Sequence, residues 1–300
     1  MKKVASVYII LAAALWGGTG VFVRNLSAAG LSPVQIAVVR VTVSAVVMLV
    51  YLLAKDPRLL RIDLKHWVYF FGTGMLSLSF FNVCYFTAIQ YSTLAAAAAL
   101  LYTAPTFVML LSVLVFHEPM SCRKFLALAM TFAGTVLVTG VLAGNGGVLE
   151  GKAILAGLGA GFGYALYSIF GKVALNHYHP ATVSFYTFVF GFMGLIPFAH
   201  MGSAVHLLFL PQTLINGLGI GVLCCMLPYL FYSMGLARVE ASRAAILAAA
   251  EPAVAAWLGI AFFQEALTLV KLLGMAFILG AIGILNTKSG GKDASAREAS

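Results

Sequence analysis

Residues 242–263, SRAAILAAAEPAVAAWLGIAFF, form an almost wholly apolar run long enough to cross a bilayer, yet it carries a carboxylate, Glu251, followed by Pro252. A Glu near the midpoint of a spanning helix costs roughly 2.5 kcal/mol to insert. The proline removes a backbone donor and clashes with the carbonyl one turn back. A protein-lined or water-filled cavity offsets both, because the carboxylate then meets a ligand or a proton and the broken helix lends its backbone groups. A kink whose carboxylate is satisfied by a neighbouring helix also offsets them, and the stretch alone leaves both readings open.

Runs of this kind fill the chain. Of its 300 residues, 62% are hydrophobic and 9% charged, and the mean hydropathy is +1.01, well beyond the apolar share of a soluble domain. Ten apolar windows follow one another, at about 4–23, 34–54, 67–89, 94–115, 125–142, 153–174, 182–199, 214–235, 242–263 and 269–285. Most are close to the roughly 20 residues that a hydrocarbon layer of about 30 Å requires at helical rise, and none alternates as a barrel strand does. The expected fold is an all-α integral membrane protein with ten transmembrane helices. The first window has the basic start and small residues of a signal peptide, but its apolar run continues to Val23 and a later part of the chain repeats it, so it reads as the first span.

The net charge of +9 would suggest nucleic acid in a soluble protein; here the basic residues sit in short loops and set orientation instead. Fourteen of the 18 Lys and Arg fall at 2–3, 55–65, 123–124, 172, 238–243 and 288–297, on one set of alternate loops, against Arg24, Lys152 and Lys271 on the other, with Arg40 inside the second span. The expected location is the cytoplasmic membrane with both termini cytoplasmic, and the polar segment 287–300 reads as a disordered tail. Cys84, Cys122, Cys224 and Cys225 show no C-x-x-C spacing and read as small buried hydrophobes.

A constant offset of 147 residues aligns the two halves without a gap. Pro33 falls on Pro180, Gly72 on Gly219, Gly74 on Gly221, Tyr85 on Tyr232, Pro105 on Pro252, Phe116 on Phe263, Glu118 on Glu265 and Lys124 on Lys271. The proline, glutamate and lysine thus recur with the same spacing in both halves. The repeats are 1–142 and 153–286, each with five spans. Five is odd, so the second repeat enters the membrane from the opposite side, an inverted arrangement characteristic of secondary transporters with a midplane site exposed to either side in turn.

The segment A-L-W-G-G at 14–18, S-P followed by an Arg at 32–40, F-x-E at 116–118 and again at 263–265, and E-P at 251–252 together resemble the EamA family of the drug/metabolite transporter superfamily over about residues 4–286. The resemblance implies movement of small metabolites, often amino acids or related compounds, through a central cavity.

The candidate substrate-binding residues are Glu251, Arg40, Asn82, Tyr85, Tyr102, Tyr164, Tyr229, Tyr232 and Trp16, with Tyr167 and Trp257 as further walls and Pro105 and Pro252 as helix breaks. Arg40 lies about 6 residues into its span, deeper than snorkelling makes comfortable, so it faces the bundle interior to meet a ligand or a partner helix. The resemblance strengthens that placement, since an Arg at this point is typical of the family. Asn82 aligns with Tyr229, and Tyr85 with Tyr232, so related points of the repeats present hydrogen-bonding groups near mid-depth. The two prolines are expected to line one cavity with Tyr85 and Tyr232 at matching depths. Glu118 and Glu265, each just ahead of a helix start, read as structural caps of that next helix.

Enzyme signatures fail on inspection. The glycines at 157, 159, 161 and 163 miss G-x-G-x-x-G spacing and read as small-x-x-x-small packing, and His117-Glu118 lacks the second His of a zinc motif because Ser121 stands there. No cofactor or metal is expected. The function indicated is secondary transport of a small polar metabolite, with protons, a counter-substrate or simple facilitated diffusion as the open choices of driving force, the lipid bilayer as the other partner, no nucleic acid, and a homodimer left open. A receptor or scaffold without transport, or an intramembrane enzyme, is the alternative.

Overall fold

The computed structural model describes residues 2–141 and 150–286; the expected tail at 287–300 and the end of the first repeat at 142 lie outside the described residues. Among the described residues, ten helices are long and apolar enough to cross a membrane: α1 (Lys3–Ala28), α2 (Pro33–Lys55), α3 (Leu64–Gln90), α4 (Leu94–Phe116), α5 (Cys122–Thr139), α6 (Gly151–Ala174), α7 (Pro180–Ala199), α8 (Pro211–Leu236), α9 (Ala241–Phe262) and α10 (Leu269–Asn286). No strand occurs among them. Helices α2, α7 and α8 each open on a proline, where the missing N–H has no intrahelical partner to lose. Ser32 and Gln35 add a reciprocal capping box to α2.

Most of the larger helix contacts recur when the halves are exchanged. α3 packs on α6 as α1 packs on α8, while α2 pairs with α7 and α5 with α10. Several contacts need glycine. A Cβ on Gly134 would sit 2.7 Å from the Gly274 carbonyl oxygen, which fixes how closely α5 and α10 approach. A Cβ on Gly161 of α6 would meet Thr103 Oγ1 at 2.6 Å and the carbonyls of Leu100 and Leu101 at 3.1 Å, so α6 lies directly against the midpoint of α4.

Among the described residues α1 is interrupted at Gly18, and four other spans depart from regular helix in two matched pairs. α4 stops at Leu101 and resumes at Ala104, while α9 stops at Ala248 and resumes at Glu251, an offset of 147 in both cases. The turns have the same hydrogen bonds: Tyr102 N–H to Ala98 and Thr103 N–H to Leu100 in one, Ala249 N–H to Ala245 and Ala250 N–H to Leu247 in the other. Pro105 and Pro252 stand in the first turn of each second half rather than inside a kink, because a proline there clashes with nothing behind it. The other pair is α3 and α8, which widen to π-helix over Gly72–Ser79 and Val222–Met226, ending on residues again related by 147. Each π segment turns the helix face that follows it, and those faces carry Asn82 and Tyr85 in α3 and Tyr229 and Tyr232 in α8.

Large apolar side chains such as Phe125, Leu126, Leu269 and Leu279 are exposed on α5 and α10, as expected of helices facing lipid. Cys224 and Cys225 are buried and Cys84 half-buried; Cys122 departs from expectation and is exposed, because it is the first residue of α5 beyond its Ser121 cap.

Candidate functional site

The π segments and helix breaks converge on the middle of the bundle. One narrow cavity, of about 10 Å³, is walled by Trp16, Ser77, Phe81, Tyr164, Tyr167, Ser168, Tyr229 and Tyr232. A second, also of about 10 Å³, is walled by Tyr102, Pro105, Tyr164, Glu251 and the small residues of the two breaks. Tyr164 belongs to both, so they adjoin.

The aromatic side is tightly built. Trp16 meets Tyr229 edge-on at 5.4 Å between ring centres and lies 5.5 Å from Tyr232 and 6.2 Å from Tyr164. The buried hydroxyls are satisfied across helices: Tyr167 with Ser233 at 2.8 Å and Ser168 with Tyr232 at 2.7 Å, both joining α6 to α8. Phe81 stands edge-on to Tyr164 at 5.7 Å and lies 6.0 Å from Tyr85.

The charged side holds Glu251 and Arg40. Glu251 is the first residue of the second half of α9, where unpaired backbone N–H groups and the helix dipole favour a carboxylate. The Tyr102 hydroxyl, at the matching break of α4, is within hydrogen-bonding reach of it, and the charge of Arg40 reaches it from α2. No ion pair closes between Arg40 and Glu251. The Arg40 guanidinium makes a long 3.5 Å hydrogen bond to Asn82 Oδ1, and its buried Nε has no partner. Asn82, 3% exposed, is itself held by donating to the Leu78 carbonyl at 2.6 Å. Ser44, one turn after Arg40, bonds the carbonyls of both Arg40 and Gly221 and so fixes α2 to the π segment of α8.

Six of the nine candidate residues, Trp16, Tyr102, Tyr164, Tyr229, Tyr232 and Glu251, line the two cavities of this central region; Arg40, Asn82 and Tyr85 line neither. Pro105 lines the second; Pro252 is buried behind Glu251 and does not, so the expectation that the two prolines line one cavity with Tyr85 and Tyr232 is met only by Pro105 and Tyr232 as lining residues. Tyr85 is half-buried beside this region. Trp257 is 60% exposed on the outer face and is no wall of the site. Sequence reasoning missed Ser77, Phe81 and Ser168. Ser77 and Ser168 carry a usable signal, a hydroxyl at mid-span.

Glu118 takes the expected structural role, but on a different helix start. Ser121 caps α5, leaving Glu118 to reach across the repeats: its carboxylate accepts from the backbone N–H groups of Ala241 and Ser242 at the start of α9, and from the Ser242 hydroxyl. Glu265 caps no helix and pairs with Lys271 at 2.8 Å.

Comparison with known proteins agrees with this architecture. The pattern of the EamA-like transporter family matches twice, over residues 3–140 and 151–287. An uncharacterized transporter of Archaeoglobus fulgidus is 32% identical over 275 residues, covering 91% of this chain and 93% of that protein. The threonine/homoserine exporter RhtA of Salmonella typhimurium is 31% identical over 208 residues, 69% of this chain and 67% of that one. A solved crystal structure, 19% identical, superposes with a TM-score of 0.76 over 99% of both chains and supports the fold. The family and the names of these relatives indicate a transporter rather than an enzyme. The chain is a multi-pass membrane protein that belongs to the EamA-like transporter family of the drug/metabolite transporter superfamily.

Proposed function

We propose that the chain carries a small zwitterion of the amino-acid class across the cytoplasmic membrane by alternating access, with both termini cytoplasmic. The observation that carries this reading is the pair Arg40 and Glu251, opposite charges facing one central region without closing an ion pair on each other. A guanidinium with a buried, unpartnered Nε suits a carboxylate, which it can hold in a fork of two hydrogen bonds. Glu251 and the aromatic rings beside it suit an ammonium group. A ligand bearing both charges satisfies both walls at once. The relative named as a threonine/homoserine exporter supports the same class. The inverted repeat, read from five spans per copy, supports alternating access, and the 14 to 3 distribution of basic residues supports the orientation. A proton gradient or a counter-substrate supplies the energy.

The test is counterflow of labelled threonine into proteoliposomes preloaded with unlabelled threonine, with competitors that keep only the amine or only the carboxylate. Zwitterions are expected to compete and the singly charged analogues to fail. Competition by a simple amine equal to that of threonine, or absence of counterflow for every amino acid offered, overturns the proposal.

A further inference from the structure

Residues that the repeat makes equivalent are engaged at one end of the bundle and disengaged at the other. At the end that bears the termini, Glu118 is 8% exposed and accepts from Ala241 N–H at 2.7 Å, from Ser242 N–H at 3.2 Å and from the Ser242 hydroxyl. Lys124 holds the same junction, with its Nζ 2.7 Å from Glu240 and 3.9 Å from Glu118. The half of α4 leading into it, Ala104–Phe116, packs against the first half of α9, Ala241–Ala248. Shifting each of these by 147 gives Glu265, Leu94, Ala95, Lys271 and Thr93 at the opposite end. There the side chain of Glu265 is half exposed and has only Lys271, and the halves Leu94–Leu101 and Glu251–Phe263 show no comparable packing. Thr93 takes the Ala96 N–H, while the N–H groups of Leu94 and Ala95 open a helix whose first-turn amides have no intrahelical acceptor.

We propose that Glu118 and Glu265 are alternate latches of the two ends: Glu118 on the start of α9 closes the terminal side in the state seen here, and Glu265 on the start of α4 closes the opposite side when the first latch opens. The inference rests on the alternating-access reading above. It goes further by naming the contact that breaks, the contact that replaces it, and their unequal strengths. Glu118 has three donors, because residue 242 is a serine; Glu265 would have two, because residue 95 is an alanine. Glu118 also has Lys124 bridged to Glu240, where the counterpart of Glu240 is the neutral Thr93. The terminal-side latch is therefore the stronger of the two, in agreement with the state observed. A hydrogen bond to a charged group changes such an equilibrium by about ten- to a hundredfold.

The test uses the full chain in nanodiscs, freed of its own cysteines and spin-labelled at two exposed pairs outside the latches. Met120 with Ala237 spans the terminal side, and Gln90 with Leu267, their counterparts by the 147 offset, spans the other. The expected parent shows a short 120–237 and a long 90–267 distance. Ser242→Ala removes one donor from the first latch and Ala95→Ser adds one to the second; each is expected to raise the population with the distances exchanged by about tenfold or more. Adding Glu265→Gln to Ser242→Ala is expected to suppress that population and slow threonine counterflow. These are small or exposed substitutions that spare the buried Glu118. If counterflow proceeds while none of the three changes moves either distance, the latches are refuted and transport stands. If the distances exchange as described while no amino acid moves, the latches stand and the proposed function falls.

Discussion

Replacing Glu251 by Gln separates a transport charge from a structural one. The two readings of the sequence differ in magnitude: removing one member of a buried ion pair leaves the other charge stranded and costs about 3–5 kcal/mol. In the structure no ion pair closes on Glu251, and its neighbour is the Tyr102 hydroxyl, to which a glutamine oxygen can still accept. The folded state therefore loses at most the difference between a charged and a neutral acceptor, about 1 kcal/mol. A zwitterionic ligand loses much more, since truncating one partner of a buried charged contact costs about 2–5 kcal/mol, or roughly thirty- to several-thousandfold in affinity. Thermal unfolding in detergent is expected to shift by only about 2–4 °C for a chain of this size, while threonine counterflow in liposomes falls below a few per cent of the parent. A melting point lowered by ten degrees or more would show that Glu251 is a structural partner of Arg40. Full counterflow would remove Glu251 from the site.

Three other outcomes follow from particular contacts. Gly161→Ala places a methyl group 2.6 Å from Thr103 Oγ1 against the break of α4 and is expected to cost about 1–3 kcal/mol in thermal unfolding, whereas Gly20→Ala, with nothing within 4 Å, is expected to be neutral or stabilising. Burial, and then the charge of Lys55, holds His179 below the ordinary histidine value, and its Nδ1 accepts from Ala181 N–H to cap α7. Protonation is thus penalised only in the folded state, so stability is expected to decline as pH falls below about 6.5; His179→Asn, which keeps the cap, removes that decline, and an unchanged pH profile of melting refutes it. Single cysteines at Lys65 and Arg123 are expected to be shielded from an impermeant thiol reagent in intact cells while one at Thr268 reacts, and the reverse pattern inverts the orientation.

The ten spans are legible because bilayer thickness sets the length of every apolar window, and only polar caps and loops interrupt them. Glu251 and Arg40 are legible for the same reason: a charge in hydrocarbon is conspicuous. The breaks are legible to within three residues, since the proline marks a break but stands after it; its missing N–H and its ring forbid a continuous helix behind it and cost nothing at a helix start. The π segments of α3 and α8 are not legible, because no residue within 72–79 requires a widened turn and only packing reveals one. The Glu118 contact escapes for another reason. It joins residues 123 positions apart, and the local sequence offers a nearer helix start that Ser121 already occupies.

The matched breaks and π segments separate what the two halves share from what they do not. The widened turns, the interrupted spans with their prolines, the left-handed residues His117 and Gln264, and the glutamate–lysine pairs occur in both halves. The site charges were not shared in this way: the position matching Glu251 is Ala104, and that matching Arg40 is Thr187. The two halves thus share a mechanical frame, and one negative and one positive pole stand in it without counterparts. On the proposed function, a cargo held between such poles keeps one heading throughout its passage, entering and leaving with the same end against the same wall.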